Sequence, residues 1–130
     1  MAALDPIRHE ATDRTPAVLF DFTAGRYRLA GESYPEDAAS FYGPLTQGLR
    51  QAVEERASEA LEFSVEMIYF NSSTAKALMN LFQILEEAAQ AGMRVRINWC
   101  YHEDDETMEE FGEDFSEDFA HADYRLCPTS

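Results

Sequence analysis

Four stretches of the chain alternate apolar and polar residues, and three others repeat apolar residues every three or four positions. The first pattern marks strands covered on one face, the second marks helices with a single apolar stripe. Ala17-Val18-Leu19-Phe20-Asp21-Phe22 reads as a strand, Thr23-Ala24-Gly25 as a turn and Arg26-Tyr27-Arg28-Leu29-Ala30 as its partner, so the ordered chain is expected to open with a hairpin. Gly31 to Pro35 breaks this pattern. Beyond it Phe41, Leu45, Leu49 and Val53 return every four positions as a helix, which Gly43-Pro44 should kink or restart.

Leu61 to Phe70 is the next strand, with Leu61, Phe63, Val65, Met67 and Tyr69 on one face. Its other face passes from Glu62, Ser64 and Glu66 to Ile68 and Phe70, so burial on both faces is expected near its end. A helix follows, with a stripe of Leu78, Leu81, Phe82, Leu85 and Ala89 and a glycine cap at Ala91-Gly92. Arg94 to Tyr101 alternates strictly, and two strands joined by such a helix predict a right-handed βαβ crossover. Met108, Phe111, Phe115 and Phe119 keep helical spacing, in a helix that Gly112 should weaken by about 1 kcal/mol relative to alanine. Asp123 to Cys127 suits a short edge strand. Met1 to Pro16 has no period and reads as a mobile arm, leaving residues 17–130 as one domain.

Charge narrows the partners. The 130 residues carry 10 basic and 25 acidic side chains, a formal net charge of −15. Nucleic acid and anionic membrane surfaces demand the opposite sign, which makes both unsuitable partners. Ten carboxylates fall between Glu103 and Asp118, an acidic outer face suited to steering a basic surface. No apolar run approaches a membrane span of about 18–20 residues, and Asp5, Arg8, His9 and Glu10 interrupt any signal-peptide core, so a cytoplasmic protein is expected. Cys100 and Cys127 lack metal-knuckle or redox spacing; Cys100 reads as a small buried hydrophobe, and no disulfide is expected.

The tools of an enzyme are absent from the pattern. His9, His102 and His121 are scattered, no serine or cysteine stands at triad spacing, and no glycine-rich phosphate loop opens a helix. Glu103-Asp104-Asp105-Glu106 lacks the alternating ligands and central glycine of a calcium loop. No catalytic residue, metal or cofactor is therefore assigned. The residues instead direct attention to Tyr69-Phe70-Asn71-Ser72-Ser73-Thr74-Ala75-Lys76, where three hydroxyls meet a strand-to-helix junction. Unpaired N–H groups and a partial positive charge at a helix start suit a hydroxyl cap, a bound anion or a phosphate on one of the hydroxyls. Asn71, Ser72 or Ser73 could serve simply as the cap. Lys76, however, places a cation near a helix start, at a cost of about 0.3–1 kcal/mol that a neighbouring phosphate would remove.

Four blocks in order, Ser33-Tyr34-Pro35-Glu36-Asp37, Tyr69 to Lys76, Trp99-Cys100-Tyr101 and Met108 to Phe115, resemble the signatures of the SiaC family of bacterial regulatory phosphoproteins. The resemblance implies an α/β fold: a single STAS-like domain with a mixed four- or five-stranded sheet and helices packed against it. It implies a phospho-switch controlled by a Ser/Thr protein kinase and a PP2C-type phosphatase. The unmodified form would bind and activate a diguanylate cyclase, raising cyclic di-GMP and promoting biofilm formation. The family's acceptor is typically a threonine after the asparagine; here that position is Ser72, with Ser73 and Thr74 as alternatives and Asn71 and Lys76 forming the loop around the phosphate. Tyr69, Tyr101, Glu109, Glu113 and Asp114 are the expected partner-binding residues. The same fold would also suit an anti-anti-sigma-like protein that captures a switch kinase.

Overall fold

A computed structural model describes residues 5–130. Nine elements follow in chain order: β1 (Ile7–His9), β2 (Ala17–Asp21), β3 (Arg26–Ser33), α1 (Ala38–Glu54), β4 (Ala60–Phe70), α2 (Ser72–Gln90), β5 (Arg94–His102), α3 (Glu106–Ser116) and β6 (Asp123–Thr129). The strands form one six-stranded sheet whose order is the chain order. β1, β2 and β3 pair antiparallel, and β3 to β6 pair parallel. Each parallel step carries a helix, and right-handed crossovers stepping in one direction put all three helices on the same face.

The hairpin, the βαβ unit and the mixed sheet match the sequence expectation, with one strand more than the four or five expected. The extra strand comes from the segment expected to be a mobile arm: Ile7 to His9 pair with Val18 to Phe20 along the sheet edge. The rest of that segment is tied down by Tyr34 N–H donating to Arg14 O at 2.7 Å and by an Arg14–Glu36 ion pair. Met1 to Leu4 of the expected arm lie outside the described residues.

The covered face holds the core, with Phe20, Leu29, Phe63, Val65 and Ile97 fully buried against Leu45, Leu49, Leu78, Leu81 and Leu85 of the helices. Burial of each large apolar side chain contributes about 1.5–3 kcal/mol, so α1 and α2 are held by their stripes rather than by their caps. α1 runs unbroken through Pro44. Pro44 and Ser40 are both exposed, so the carbonyl that loses its donor remains in water.

Three further expectations change. The alternation of β4 does not run to its end: the register against β3 shifts between Gly31 and Glu32, pairing Met67 with Gly31 and Tyr69 with Glu32. The extra residue turns Phe70 into the core and leaves Ile68 and Tyr69 67% and 51% exposed, so the strand end is not covered on both faces. Gly112 is not a weak point to be improved by alanine, because a Cβ there would stand 2.4 Å from Trp99 Cδ1. The indole of Trp99 is buried and fixed by its N–H donating to Met108 O at 2.8 Å, so it has no room to give. Finally, Cys100 is not enclosed in the core: it stands half-buried on the open face directly opposite Cys127, and both thiols are free.

Candidate functional site

β4 ends and α2 begins at Asn71, whose extended backbone (φ −94°, ψ 178°) lets its Oδ1 accept from Thr74 N–H at 3.0 Å. That is N-cap geometry. The first intrahelical bond, Ala75 N–H to Asn71 O, follows at 3.0 Å, and Asn71 N–H donates to Ser33 O at 3.2 Å, which ties the loop to the end of β3. The cap is therefore Asn71, and the three hydroxyls are free for other roles.

They divide sharply. Thr74 is fully buried; its hydroxyl donates to Ser33 O at 3.0 Å and lies 2.8 Å from Ser33 Oγ, which lies 2.6 Å from the Tyr42 hydroxyl. This network joins β3, α1 and α2, satisfying buried polar groups that would otherwise cost about 1–3 kcal/mol each. Burial pushes the Tyr42 phenol up from its ordinary value, and the hydroxyls of Ser33 and Thr74 pull it partly back. A kinase could reach Thr74 only by unwinding the first turn of α2. Ser72 and Ser73 are exposed; Ser73 Oγ approaches Asn71 Oδ1 at 3.4 Å, and Ser72 Oγ makes no hydrogen bond among the described residues. Lys76 is exposed, forms no ion pair among the described residues, and stands four positions after Ser72 and three after Ser73, on the same helix face as both.

Beside this helix start lies an apolar apron. Tyr69 packs edge-on against Tyr34 with ring centroids 5.8 Å apart, and Ile68 is exposed next to it. Sequence reasoning found Tyr69 but not Ile68 or Tyr34. The available signal was Gly31: a glycine inside a strand pattern, here at φ +118°, often marks a bulge.

The other expected partner residues lie on β5 and α3. Tyr101 is buried, and its hydroxyl donates to Glu109 Oε2 at 3.1 Å, so this pair fastens α3 to β5 rather than presenting a surface. Glu113 and Asp114 are exposed on α3. That helix meets the end of β4 through Phe111 and Phe70, whose rings are 4.8 Å apart. The resemblance blocks thus meet in pairs: Ser33 bonds Thr74, and Trp99 and Tyr101 bond Met108 and Glu109.

Glu86 was not singled out in the sequence. Its carboxylate, 18% exposed, accepts from the backbone N–H groups of Ala120, His121 and Ala122 at 3.0–3.2 Å and lies 2.8 Å from His121 Nδ1. Burial pushes this carboxyl up, but the hydrogen bonds together outweigh it and hold the group down at about 2. Among the described residues no cluster of three or more His, Cys, Asp or Glu side chains gathers to hold a metal ion.

Comparison with known proteins places this geometry. The crystal structure of the diguanylate cyclase SiaD in complex with its activator SiaC, from Pseudomonas aeruginosa, contains a chain matching this one at a TM-score of 0.88 and 30% identity, over 95% of this chain and 99% of that one. Apo-SiaC from P. aeruginosa matches at a TM-score of 0.84 and 29% identity over the same shares. An uncharacterised protein of P. aeruginosa strain UCBPP-PA14 is 35% identical over 107 residues, covering 82% of this chain and 84% of its own length. The model of the SiaC family regulatory phosphoproteins matches residues 9–129, and the chain belongs to that family.

Proposed function

We propose that this chain is a non-enzymatic phospho-switch that, unphosphorylated, binds and activates a diguanylate cyclase in the cytoplasm. A Ser/Thr protein kinase writes the switch and a PP2C-type phosphatase erases it. Ser72 is the acceptor. The observation that carries this reading is the division of the hydroxyls: Ser72 is exposed at the first residue of α2 and unbonded among the described residues, whereas Thr74 is fully buried and engaged. The SiaD complex formed by a relative of 30% identity supports the choice of partner.

Phosphorylation adds about −1.5 to −2 charges at a helix start, where N–H groups and the dipole favour an anion. Lys76, one turn on, supplies a counter-charge, so the modified protein stays folded. The interface instead gains a desolvated dianion, and each ~1.4 kcal/mol of penalty weakens affinity tenfold.

Incubation with ATP and the source organism's cytosol, followed by fragment mass spectrometry, tests the acceptor. Phosphate on Ser72, absent from Ser72→Ala, is the expected result; phosphate on Ser73 alone would move the switch by one residue and overturn the assignment. Cyclase activation provides the second readout. Ser72→Ala should activate like wild type and Ser72→Asp should not, and a Ser72→Asp protein that activates fully would sink the switch mechanism.

A further inference from the structure

β6 stands at the edge of the sheet with β5 as its neighbour, and none of its 7 residues is fully buried. Across this pair of strands Cys100 and Cys127 are register partners. Neighbouring strands lie about 4.7–4.9 Å apart, inside the range of roughly 4.4–6.8 Å between Cα atoms that a disulfide spans, so the backbone need not move to join them. Cys100 follows Arg94, Arg96 and Asn98 on the uncovered face of β5, and Cys127 follows Asp123 and Arg125 on that of β6, so both side chains leave the sheet on the same side. Cys127 Sγ stands 4.0 Å from Asn98 Oδ1, two residues from Cys100 on that face. It already leans over β5, and a turn about its Cα–Cβ bond brings it to the other thiol.

These are the only 2 cysteines of the chain, and both are half-exposed free thiols. We infer that Cys100 and Cys127 form a reversible disulfide, made by exchange with a low-molecular-weight disulfide such as oxidised glutathione, that staples the edge strand β6 to the sheet. Burial first, and then the neighbouring Cys127, push the Cys100 thiol up, so its thiolate is scarce at neutral pH and the opening attack falls to Cys127. Cys127 gives its proton to water and attacks one sulfur of oxidised glutathione; that S–S bond breaks, a bond from Cys127 to glutathione forms, and one glutathione leaves and takes up a proton. Cys100 then gives its proton to water and attacks the Cys127 sulfur, which releases the second glutathione, again protonated. The two protein thiols are oxidised to one disulfide, and one oxidised glutathione is reduced to two glutathione thiols. A bond half-open to solvent is reduced by the same exchange run backwards, so it follows the state of the thiol pool. The loop it closes contains α3, which is tied to the sheet by Trp99 N–H donating to Met108 O and to β6 by the Tyr124 hydroxyl donating to Gly112 O at 2.9 Å. Closing that loop removes the open states in which α3 and β6 leave the sheet together. The bond forms whether or not Ser72 accepts a phosphate.

Equilibration of the reduced, dilute chain with mixtures of reduced and oxidised glutathione tests the site. The expected product is a single chain whose intact mass is lower by two hydrogen atoms, and trypsin without reductant should leave peptide 97–125 joined to peptide 126–130. Cys100→Ser and Cys127→Ser should each stop at one glutathione adduct, but the wild-type product alone decides the assignment. A wild-type chain that ends with glutathione on each cysteine, that is joined to a second chain, or that keeps both thiols in oxidised glutathione would overturn the bond. A disulfide that persists in an excess of reduced glutathione would overturn its reversibility. Amide exchange across residues 101–126 should slow at least tenfold in the oxidised chain, with α2 unchanged, and equal exchange in the two forms would overturn the staple.

Discussion

Backbone N–H groups face an oxygen anion at several places in this molecule, the Asp37 and Asp105 caps among them, and the Glu86 nest and the start of α2 differ in whether that anion is permanent. At the α3–β6 connection three successive N–H groups, of Ala120, His121 and Ala122, close around the Glu86 carboxylate. At the start of α2 the N–H groups of Ser72 and Ser73 precede the first intrahelical bond, no acidic residue stands in the first turn, and the neighbouring charge is Lys76. α3 supplies a matched reference: Asp105 caps it as Asn71 caps α2, yet its first turn already holds Glu106 and Glu109. Permanent anions stabilise two of these sites. The third is left with its electrostatics open, which is what a reversible phosphate needs.

The strongest test of the permanent site is Glu86→Ala. Four hydrogen bonds to a charged acceptor are lost and three N–H groups are left without it, so stability should fall by about 2 kcal/mol, read as a shift of the urea midpoint. Acid should produce a smaller version of the same loss. The folded Glu86 carboxyl, held down at about 2, lies below its unfolded value, so its contribution is complete above that ordinary carboxylate range and disappears as pH falls through it towards 2. After allowance for solvent screening the loss is about 1–2 kcal/mol. Glu86→Gln should flatten that part of the stability-against-pH curve, and a slope unchanged by the substitution would show that other carboxylates carry it.

How much of this contrast could be read from the sequence depends on the distance over which each feature is determined. The junction at Asn71–Lys76 and the stripe of α2 were legible because cap, hydroxyls, lysine and leucines all act within a few turns of one helix. The Ser33–Thr74 bond spans 41 residues and the Glu86 nest about 35, so neither leaves a local pattern. Gly112 looked like a helix defect because propensity is local, whereas its reason, the Trp99 ring, is brought in by the sheet. The bulge that exposes Ile68 is a property of the β3–β4 register rather than of β4 alone. The three-residue β1 is too short for alternation to announce it.

At the start of α2, Asn71→Ala removes the cap bond to Thr74 N–H and should cost about 1 kcal/mol. The packed stripe keeps α2 in place, so the fold and the core survive. Amide exchange distinguishes a local effect from a global one, because global destabilisation would quicken exchange throughout the core as well as at Thr74 and Ala75. Local opening speeds exchange at these two amides alone, and only this outcome leaves Ser72 presented by a stable helix in the remaining molecules.

The smallest effect gives the sharpest comparison, because it sets the two helix starts side by side. Ser73 and Thr107 are both exposed and both second in their helices, after the caps Asn71 and Asp105. Ser73→Glu puts an acid where α2 has none, three positions from Lys76, and should stabilise the protein by about 0.3–1 kcal/mol at low ionic strength. Thr107→Glu puts the same charge between Glu106 and Glu109, where the N-terminal dipole is already met, and should give no gain or a slight loss. Raising the salt concentration to 1 M, where the Debye length falls to about 3 Å, should bring the two variants together. Equal gains at both helices in low salt would mean that the first turn of α2 is no more receptive to an anion than that of α3, and the electrostatic argument for a phosphate at Ser72 would lose its footing. A gain confined to Ser73→Glu would identify α2 as the helix start that lacks a negative charge of its own.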